Sequence, residues 1–207
     1  MHDLPSLVVA TVICVYWTYV GVMVVRRRRR THKLAGVVPE QPLERVMGLI
    51  WVPLVAAWMT LPWLAFARSS GVFSLPEFAR AGGYTVLRWL AAGVAVAALL
   101  ATIRCWRQMG RNWTMAVTRE EAKELITDGM FGRVRHPIYA LSILLMICTV
   151  VVVPTWPVLL IAVVHIALMI TKARNEERFL RDVHGARYAD YCAATGRFMP
   201  PFGRRVR

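Results

Sequence analysis

The strongest constraint on the fold is an apolar run of 34 residues, Ile138–Thr171, which contains no Asp, Glu, Lys or Arg and has His165 as its only side chain that titrates near neutral pH. As one α-helix the run would be about 51 Å long, much longer than the ~30 Å hydrocarbon core of a bilayer. Its centre, Pro154–Pro157, reads Pro-Thr-Trp-Pro, and prolines this close together interrupt a helix. We therefore predict two short membrane helices, residues 138–153 and 158–171, joined in a tight hairpin, with a loose hairpin as the alternative.

Three further apolar stretches precede this hairpin. Leu4–Val25 and Val46–Ala67 are each 22 residues long without a charge, and the second contains two prolines, which membrane helices tolerate, usually as kinks. The third covers about Tyr84–Ile103, and we expect Arg88, near one end, to extend its side chain to the interface. Leu4–Val25 lacks a preceding basic segment and a cleavage pattern, so we interpret it as a retained anchor.

These stretches predict an all-α integral membrane protein with five transmembrane helices, including a C-terminal helical hairpin. The distribution of Lys and Arg predicts its orientation. Seven lie in 26–45, seven in 104–135 and nine in 172–207, against three in 68–88 on the other side. The positive-inside rule then places the N-terminus outside and the C-terminus in the cytoplasm. Topology and contact with membrane lipids explain the net charge of +14, so nucleic acid is not an expected partner.

The four cysteines are widely separated in the sequence, with no Cys-x-x-Cys pair and no histidine at metal-ligand spacing. Two fall in predicted spans and two on the predicted cytoplasmic side, where thiols stay reduced. We expect neither a disulfide nor a structural metal. The positions are Cys14, Cys105, Cys148 and Cys192.

The polar residues suited to ligand binding or catalysis lie in two predicted cytoplasmic segments, 104–136 and 172–203, which flank the hairpin. Because a hairpin brings its flanks together, we expect these segments to meet and form a cofactor pocket at the cytoplasmic side. The chain thus divides into two regions. Residues 1–103 contain three spans and a basic loop, 26–45, without a motif, and residues 104–207 contain the candidate site.

The first flank contains signals for a helix, a turn and a helix start. Thr118 followed by Glu121 is a capping-box pattern that predicts a short helix over 119–127, and Asp128-Gly129 predicts the turn that ends it. The following Arg135–Tyr139 segment reads Arg-His-Pro-Ile-Tyr, which places a proline in the first turn of the fourth helix, with the histidine near its N-cap. A helix N-terminus suits an anion or polar ligand. The alternative is that these side chains only anchor the helix in head groups.

The second flank continues the fifth helix and contains the adjacent acids Glu176 and Glu177. A purely structural role for these acids is to form salt bridges within the helix. Lys172 and Glu176 are four residues apart, as are Glu177 and Arg181. Helical phase also places His165, Lys172 and Glu176 within about 40° of one another, as a polar stripe leading out of the membrane. His165 either takes part in function or simply bonds a neighbouring helix.

The motifs of both flanks, taken in order, resemble the isoprenylcysteine carboxyl methyltransferase family and its phospholipid methyltransferase relatives. The resemblance covers about residues 108–201. It rests on Leu125–Phe131 leading into Arg135–Tyr139, then the hairpin, Glu176-Glu177, Gly185, Tyr188, Tyr191 and a closing Arg197–Pro200.

The resemblance implies a membrane enzyme that binds S-adenosylmethionine without a Rossmann fold. It implies that Glu176 takes the α-amino group of the methionine moiety, and that three basic side chains, Arg135, Lys172 and Arg174, face a lipid substrate. Helical phase favours Lys172 over Arg174. The implied walls around the adenosyl part are Lys123, Glu124, Leu125, Ile126 and Phe131 on one side and His136, Pro137, Ile138 and Tyr139 on the other.

Two departures from the family pattern concern the substrate. The family usually has Tyr where Phe131 stands, and commonly Arg where Lys172 stands; lysine lacks the bidentate fork that a carboxylate prefers. An isoprenylcysteine-type carboxylate therefore remains one candidate acceptor, beside a phospholipid or small-lipid amine or thiol. A carboxylate is ionised at pH 7 and needs no base, whereas an amine or thiol would need one, for which Glu177 and His165 are candidates.

The predicted function is thus S-adenosylmethionine-dependent methyl transfer to a lipid-like acceptor that enters from the bilayer. Two other classes compete with this interpretation. An NADPH-dependent membrane reductase would need a site for the 2′-phosphate, and only scattered arginines are present. A non-enzymatic scaffold or channel would have polar residues in several spans, yet the first two spans carry no charge. The sequence does not indicate an oligomeric state.

Overall fold

The computed structural model describes residues 3–31, 42–68, 70–110, 113 and 125–201. Within these ranges the regular secondary structure is all helical, with an isolated bridge between Val134 and Gly196 and no strand, which confirms the all-α prediction. Two short 3₁₀ helices cover Glu77–Arg80 and Gly129–Gly132. The described part of the chain has six α-helices: α1 (Leu4–Thr31), α2 (Pro42–Ala67), α3 (Gly82–Met109), α4 (Pro137–Val152), α5 (Trp156–His184) and α6 (Ala186–Ala194).

Within the described ranges, four helices are long and apolar enough to cross a membrane, namely α1, α2, α3 and α5. The protein is therefore a multi-pass integral membrane protein. Helix α4 has 16 residues, which corresponds to about 24 Å and is shorter than a typical hydrocarbon core. A fifth span at α4, and the orientation of the termini, stay predictions.

The predicted break in the long apolar run is confirmed. Helix α4 ends at Val152, and α5 starts four residues later at Trp156, with Pro154 in the link. Pro157 occupies the first turn of α5, where its missing N–H costs no hydrogen bond. The two helices pack against each other, so the hairpin is tight, and α5 then continues to His184.

Small residues on one face of α3 allow the helices to approach closely. Ala91, Ala92 and Ala95 are buried in a core that also contains Tyr16 of α1 and Trp58 of α2. Close backbone approach at alanine is typical of packing between membrane helices. The outward surface is strongly apolar, as expected where helices face lipid. Its most exposed large side chains include Leu49, Val52, Trp156 and Leu160.

Arg88 does not extend to the interface as predicted, because it has partners inside the bundle. Its side chain is only 3% exposed, and Nη2 donates to both carboxylate oxygens of Asp3, at 2.6 and 2.7 Å. Nε donates to the carbonyl oxygen of Val152 at 2.7 Å. The ion pair thus joins the start of α1 to α3 and to the end of α4, at the end of the bundle opposite the start of α4.

The arginine run at the end of α1 has a mixed environment. Arg26 and Arg29 are exposed and border an outward-facing groove of about 420 Å³ whose other lining residues are apolar or small, including Gly21. Arg27 is buried, and its Nη1 donates to the carbonyl oxygen of Trp113 at 2.8 Å. Apolar lining with basic side chains at the mouth is the pattern that favours contact with anionic lipid.

Candidate functional site

The chain enters the site through the turn predicted at Asp128-Gly129. Gly129 has a φ of 57°, a left-handed conformation that favours glycine, and Gln108 Nε2 of α3 donates to the carbonyl oxygen of Asp128 at 2.8 Å. Of the helix predicted over 119–127, residues 119–124 lie outside the described residues. Residues 125–127 are not helical, so this part of the prediction is wrong. The chain folds back there so tightly that a Cβ at Gly132 would lie 2.9 Å from the carbonyl oxygen of Thr127.

The start of α4 is as predicted, with His136 at the N-cap position and Pro137 at the first helical position. A second segment, the C-terminal strap of residues 195–201, pairs with the chain just before it. Arg135 N–H donates to the carbonyl of Gly196 at 2.8 Å, and His136 N–H donates to that of Arg197 at 3.1 Å. Gly196 N–H donates back to Arg133 at 3.2 Å. The strap therefore fixes the backbone that leads into α4.

Gly196 is required by the tight path of the strap. A Cβ at this position would lie 1.7 Å from the carbonyl oxygen of Met199. We expect Gly196→Ala to force the strap off its pairing and lower the stability by about 2 kcal/mol or more, which thermal unfolding in detergent would measure. Gly93→Ala is the matched control, because a Cβ there meets nothing within 4 Å. Equal melting temperatures for both variants would contradict the strap geometry.

Glu177 is the anchor of the strap and of the segment before α4. Its carboxylate is 1% exposed and accepts hydrogen bonds from Arg135 Nε at 3.0 Å and from Arg197 Nε and Nη2 at 2.9 and 2.7 Å. Arg181 Nη2 lies 3.5 Å away, which is the predicted pairing four residues along α5. The Nη1 of Arg135 also donates to the carbonyl oxygens of Cys192 and Thr195. One buried acid thus connects α4, α5, α6 and the strap.

Helix α6 attaches to the segment before α4 through a tyrosine of the resembled motif. The hydroxyl of Tyr191 donates to the carbonyl oxygen of Phe131 at 2.6 Å. Burial raises the pKa of Tyr191 to about 12, so the hydroxyl keeps its proton at pH 7 and remains a donor. Phe131 and Tyr188 are both buried. The hydrogen bond from Tyr191 to Phe131 thus attaches the 3₁₀ helix Gly129–Gly132 to α6.

Glu176, by contrast, belongs to a second polar group, which we term the acid–lysine cluster: Glu44, Tyr139, Lys172, Asn175 and Glu176. The Tyr139 hydroxyl donates to Glu176 Oε1, and Lys172 Nζ lies 3.7 Å from the same oxygen. Lys172 Nζ is also 3.8 Å from Glu44 Oε1, which accepts a hydrogen bond from Asn175 Nδ2 at 3.2 Å. The cluster brings together the start of α2, the start of α4 and the middle of α5.

The carboxylate of Glu176 is held but still accessible. Its side chain is 17% exposed, and Oε2 lies 3.6 Å from His136 Nδ1. The rings of His136 and Tyr139 are stacked, with centroids 5.4 Å apart and an interplanar angle of 6°. A carboxylate beside two aromatic rings at a helix start is a suitable environment for a ligand that has both an ammonium group and a flat ring.

Other predicted site residues are more peripheral. Leu125 and Ile126 are half-buried in irregular chain, Ile138 is half-buried against the main core, and Pro137 is buried. Lys123 and Glu124 lie outside the described residues. Arg174 is exposed, two positions and hence about 200° around α5 from Lys172, so Lys172 is the basic residue beside Glu176.

Neither of the two predicted bases has suitable geometry for that role. Glu177 is already bound by two guanidinium groups, and protonating it would break those ion pairs. His165 is fully buried and pairs with Ser142 of α4, at 3.0 Å between Nε2 and Oγ. It also lies about 16 Å along α5 from Glu176. The interpretation in which His165 bonds a neighbouring helix is therefore the one the structure favours.

Sequence reasoning missed Glu44, which lies in a segment that carries no motif. The only local signal is an acid in the first turn of a membrane helix. Arg197 was part of the resembled motif, but its bond to Glu177 was not predicted. Both residues depend on partners that are distant in sequence.

Residues 86–187 match the family model described as phospholipid methyltransferase. This range includes most of α3, the segment before α4, the hairpin and both glutamates of α5, but not Glu44. A comparison with curated proteins found no match. The predicted relation to phospholipid methyltransferases is thus confirmed. Residues 86–187 of this chain are similar to the phospholipid methyltransferase family.

Proposed function

We propose that this protein is an S-adenosylmethionine-dependent methyltransferase that acts on a lipid-like acceptor embedded in the membrane. The observation that carries the proposal is the position of Glu176, which is held by Tyr139 and Lys172 at the start of α4 yet remains accessible. In the predicted topology this site faces the cytoplasm, where the methyl donor is available.

In this proposal Glu176 binds the α-ammonium group of the methionine moiety, because a carboxylate is the natural partner of an ammonium. Tyr139 and Lys172 hold the carboxylate in one orientation. The stacked rings of His136 and Tyr139 belong to one wall of the adenosyl site with Pro137 and Ile138. Phe131 and the preceding residues, Lys123, Glu124, Leu125 and Ile126, are proposed for the other wall. When bound, S-adenosylmethionine supplies a methyl group that is already activated on a sulfonium and passes in line to the acceptor nucleophile.

We assign the acceptor side of the site to Lys172, which lies between Glu176 and α2. Its ammonium group can attract a carboxylate or phosphate on the acceptor. Arg135 was predicted for this side, but its bonds to Glu177 and to backbone carbonyls support a positioning role, in which it holds the start of α4. In this proposal the exposed Arg174 contacts the membrane surface and not the acceptor.

Two acceptor classes remain in the proposal. An isoprenylcysteine-type carboxylate suits Lys172 and needs no base, since it is ionised at pH 7. A phospholipid amine is supported by the family match and by the second acid of the cluster, Glu44. A small-lipid thiol is a further variant of the second class.

The experiment that tests the proposal is transfer of a radioactive methyl group. The purified protein in mixed micelles would be incubated with tritiated S-adenosylmethionine and either N-acetyl-S-farnesylcysteine or phosphatidylethanolamine. A methyl ester is released by mild base, whereas an N-methyl group is not, so base treatment of the extracted lipid separates the two classes. Wild-type protein that binds the cofactor product but labels neither lipid would remove both the isoprenylcysteine-type carboxylate and the phospholipid amine as acceptors.

Lys172→Ala should distinguish cofactor binding from methyl transfer to the acceptor. We expect the Kd for S-adenosylhomocysteine to change by less than about threefold, because Glu176 remains, and kcat to fall by about tenfold or more. Calorimetry and the methyl-transfer assay measure these quantities. Arg178→Ala, an exposed position on the same helix, is the control. Equal losses in binding and turnover would assign Lys172 to the cofactor wall instead.

A further inference from the structure

One carboxylate oxygen of Glu44, Oε2, has no part in the contacts described above. The side chain of Glu44 is only 3% exposed, and although Oε1 accepts a hydrogen bond from Asn175, Oε2 is buried with no donor from the described residues. A buried carboxylate oxygen without a partner is destabilising, and such groups are rare unless they serve a function.

The surroundings explain why a carboxylate is tolerated but not why one oxygen is left free. Glu44 lies in the first turn of α2, where the helix dipole favours a negative charge. Lys172 Nζ is 3.8 Å from Oε1 and 3.7 Å from Glu176 Oε1, so one ammonium group is shared between two carboxylates. The three side chains together have one net negative charge, which favours the binding of a cation.

We propose that Oε2 of Glu44 binds a positively charged nitrogen on the head group of the acceptor lipid. This inference rests on the proposed function, in which Glu176 is assigned to the methyl donor. Glu44 then remains as the acid for a second cation on the α2 side of Lys172. Since Glu44 lies outside the family match at 86–187, the first two helices contribute to acceptor selection through this residue.

The geometry also limits which head groups suit the site. A cationic nitrogen can donate a hydrogen bond to the free oxygen and is attracted by the charge of the Glu44 carboxylate. A carboxylate placed at Glu44 would be repelled and would leave Oε2 without a donor. The site should therefore discriminate by the charge of the head group when the chain length is held constant.

The test compares two single-chain amphiphiles with opposite head groups. Melting temperatures of the full chain would be measured in the same mixed micelles with dodecylamine or with dodecanoate. We expect dodecylamine to raise the melting temperature of the wild-type protein and dodecanoate not to, since a ligand stabilises the state it binds. Equal responses to the two amphiphiles would overturn the proposal without any variant.

Glu44→Gln then locates the effect. We expect this variant to lose the response to dodecylamine and to melt at or above the wild-type temperature, because it removes a buried carboxylate oxygen that has no donor from the described residues. Glu77→Gln, an exposed glutamate in the short helix before α3, is the matched control and should respond as the wild type does. A response retained in Glu44→Gln would overturn the assignment. If this variant does not fold, Glu44→Asp, which keeps the charge but shortens the reach, should show a weakened response.

A parallel titration with S-adenosylhomocysteine separates this inference from the proposed function. We expect Glu44→Gln to bind the nucleoside with a Kd within about threefold of the wild type, since Glu176 is unchanged. Absence of nucleoside binding by the wild type would contradict the proposed function. In that case a dodecylamine response that depends on Glu44 would still identify a cation site.

Discussion

Glu177→Ala is expected to destabilise the protein by about 3 kcal/mol, near the lower end of the range for breaking a buried ion pair. The carboxylate is 1% exposed, and its removal leaves Arg135 and Arg197 without their acidic partner. Because Arg197 is partly exposed, water recovers some of the lost interaction. We also expect the strap to detach, since its hydrogen bonds to the segment before α4 depend on the orientation of both arginines.

The measurement is thermal or denaturant unfolding in detergent, followed by helical circular dichroism. Asp182→Ala provides the control, because Asp182 is an exposed acid on the same helix. Limited proteolysis would detect a detached strap as faster cleavage within residues 195–201. A variant with the stability and protease resistance of the wild type would show that Glu177 is not the anchor described above.

Glu176→Ala, one residue earlier, is expected to act on binding instead of stability. The lost contact is a charge-assisted hydrogen bond to the ligand's ammonium group, so the Kd for S-adenosylhomocysteine should rise by roughly 10- to 100-fold. Stability should change little, because the carboxylate is accessible and Lys172 keeps Glu44 as a partner.

Glu176→Gln refines this prediction. The amide keeps the shape and the hydrogen-bond acceptor but loses the charge, so its Kd should fall between those of the wild type and the alanine variant. Calorimetry on all three proteins gives the order directly. Unchanged affinity in the alanine variant would remove Glu176 from the site.

The sequence predicts those parts of the fold that depend on local signals. Pro154 and Pro157 interrupt the apolar run regardless of what packs against it, and Pro137 fits only the start of a helix. Gly129 occupies a left-handed turn that favours glycine. The salt bridges from Lys172 to Glu176 and from Glu177 to Arg181 also follow from helical spacing alone.

Partners that are distant in sequence could not be predicted in the same way. Arg88 meets an acid 85 positions away, and Glu44 meets Asn175 across 131 positions. Such pairs arise from the way the helices pack, and a single sequence contains no periodicity that identifies them. The same limit explains why Glu177 was considered as a base, since nothing local indicates that two arginines surround it.

The central claim, a methyltransferase site built around Glu176, is tested most directly by calorimetric titration of the detergent-purified protein. S-adenosylhomocysteine and NADPH would be titrated separately into the wild type and Glu176→Ala. The account predicts binding of S-adenosylhomocysteine by the wild type, strong weakening in the variant, and no binding of NADPH. A folded wild-type protein that binds NADPH, or that does not bind the nucleoside thioether, would contradict it.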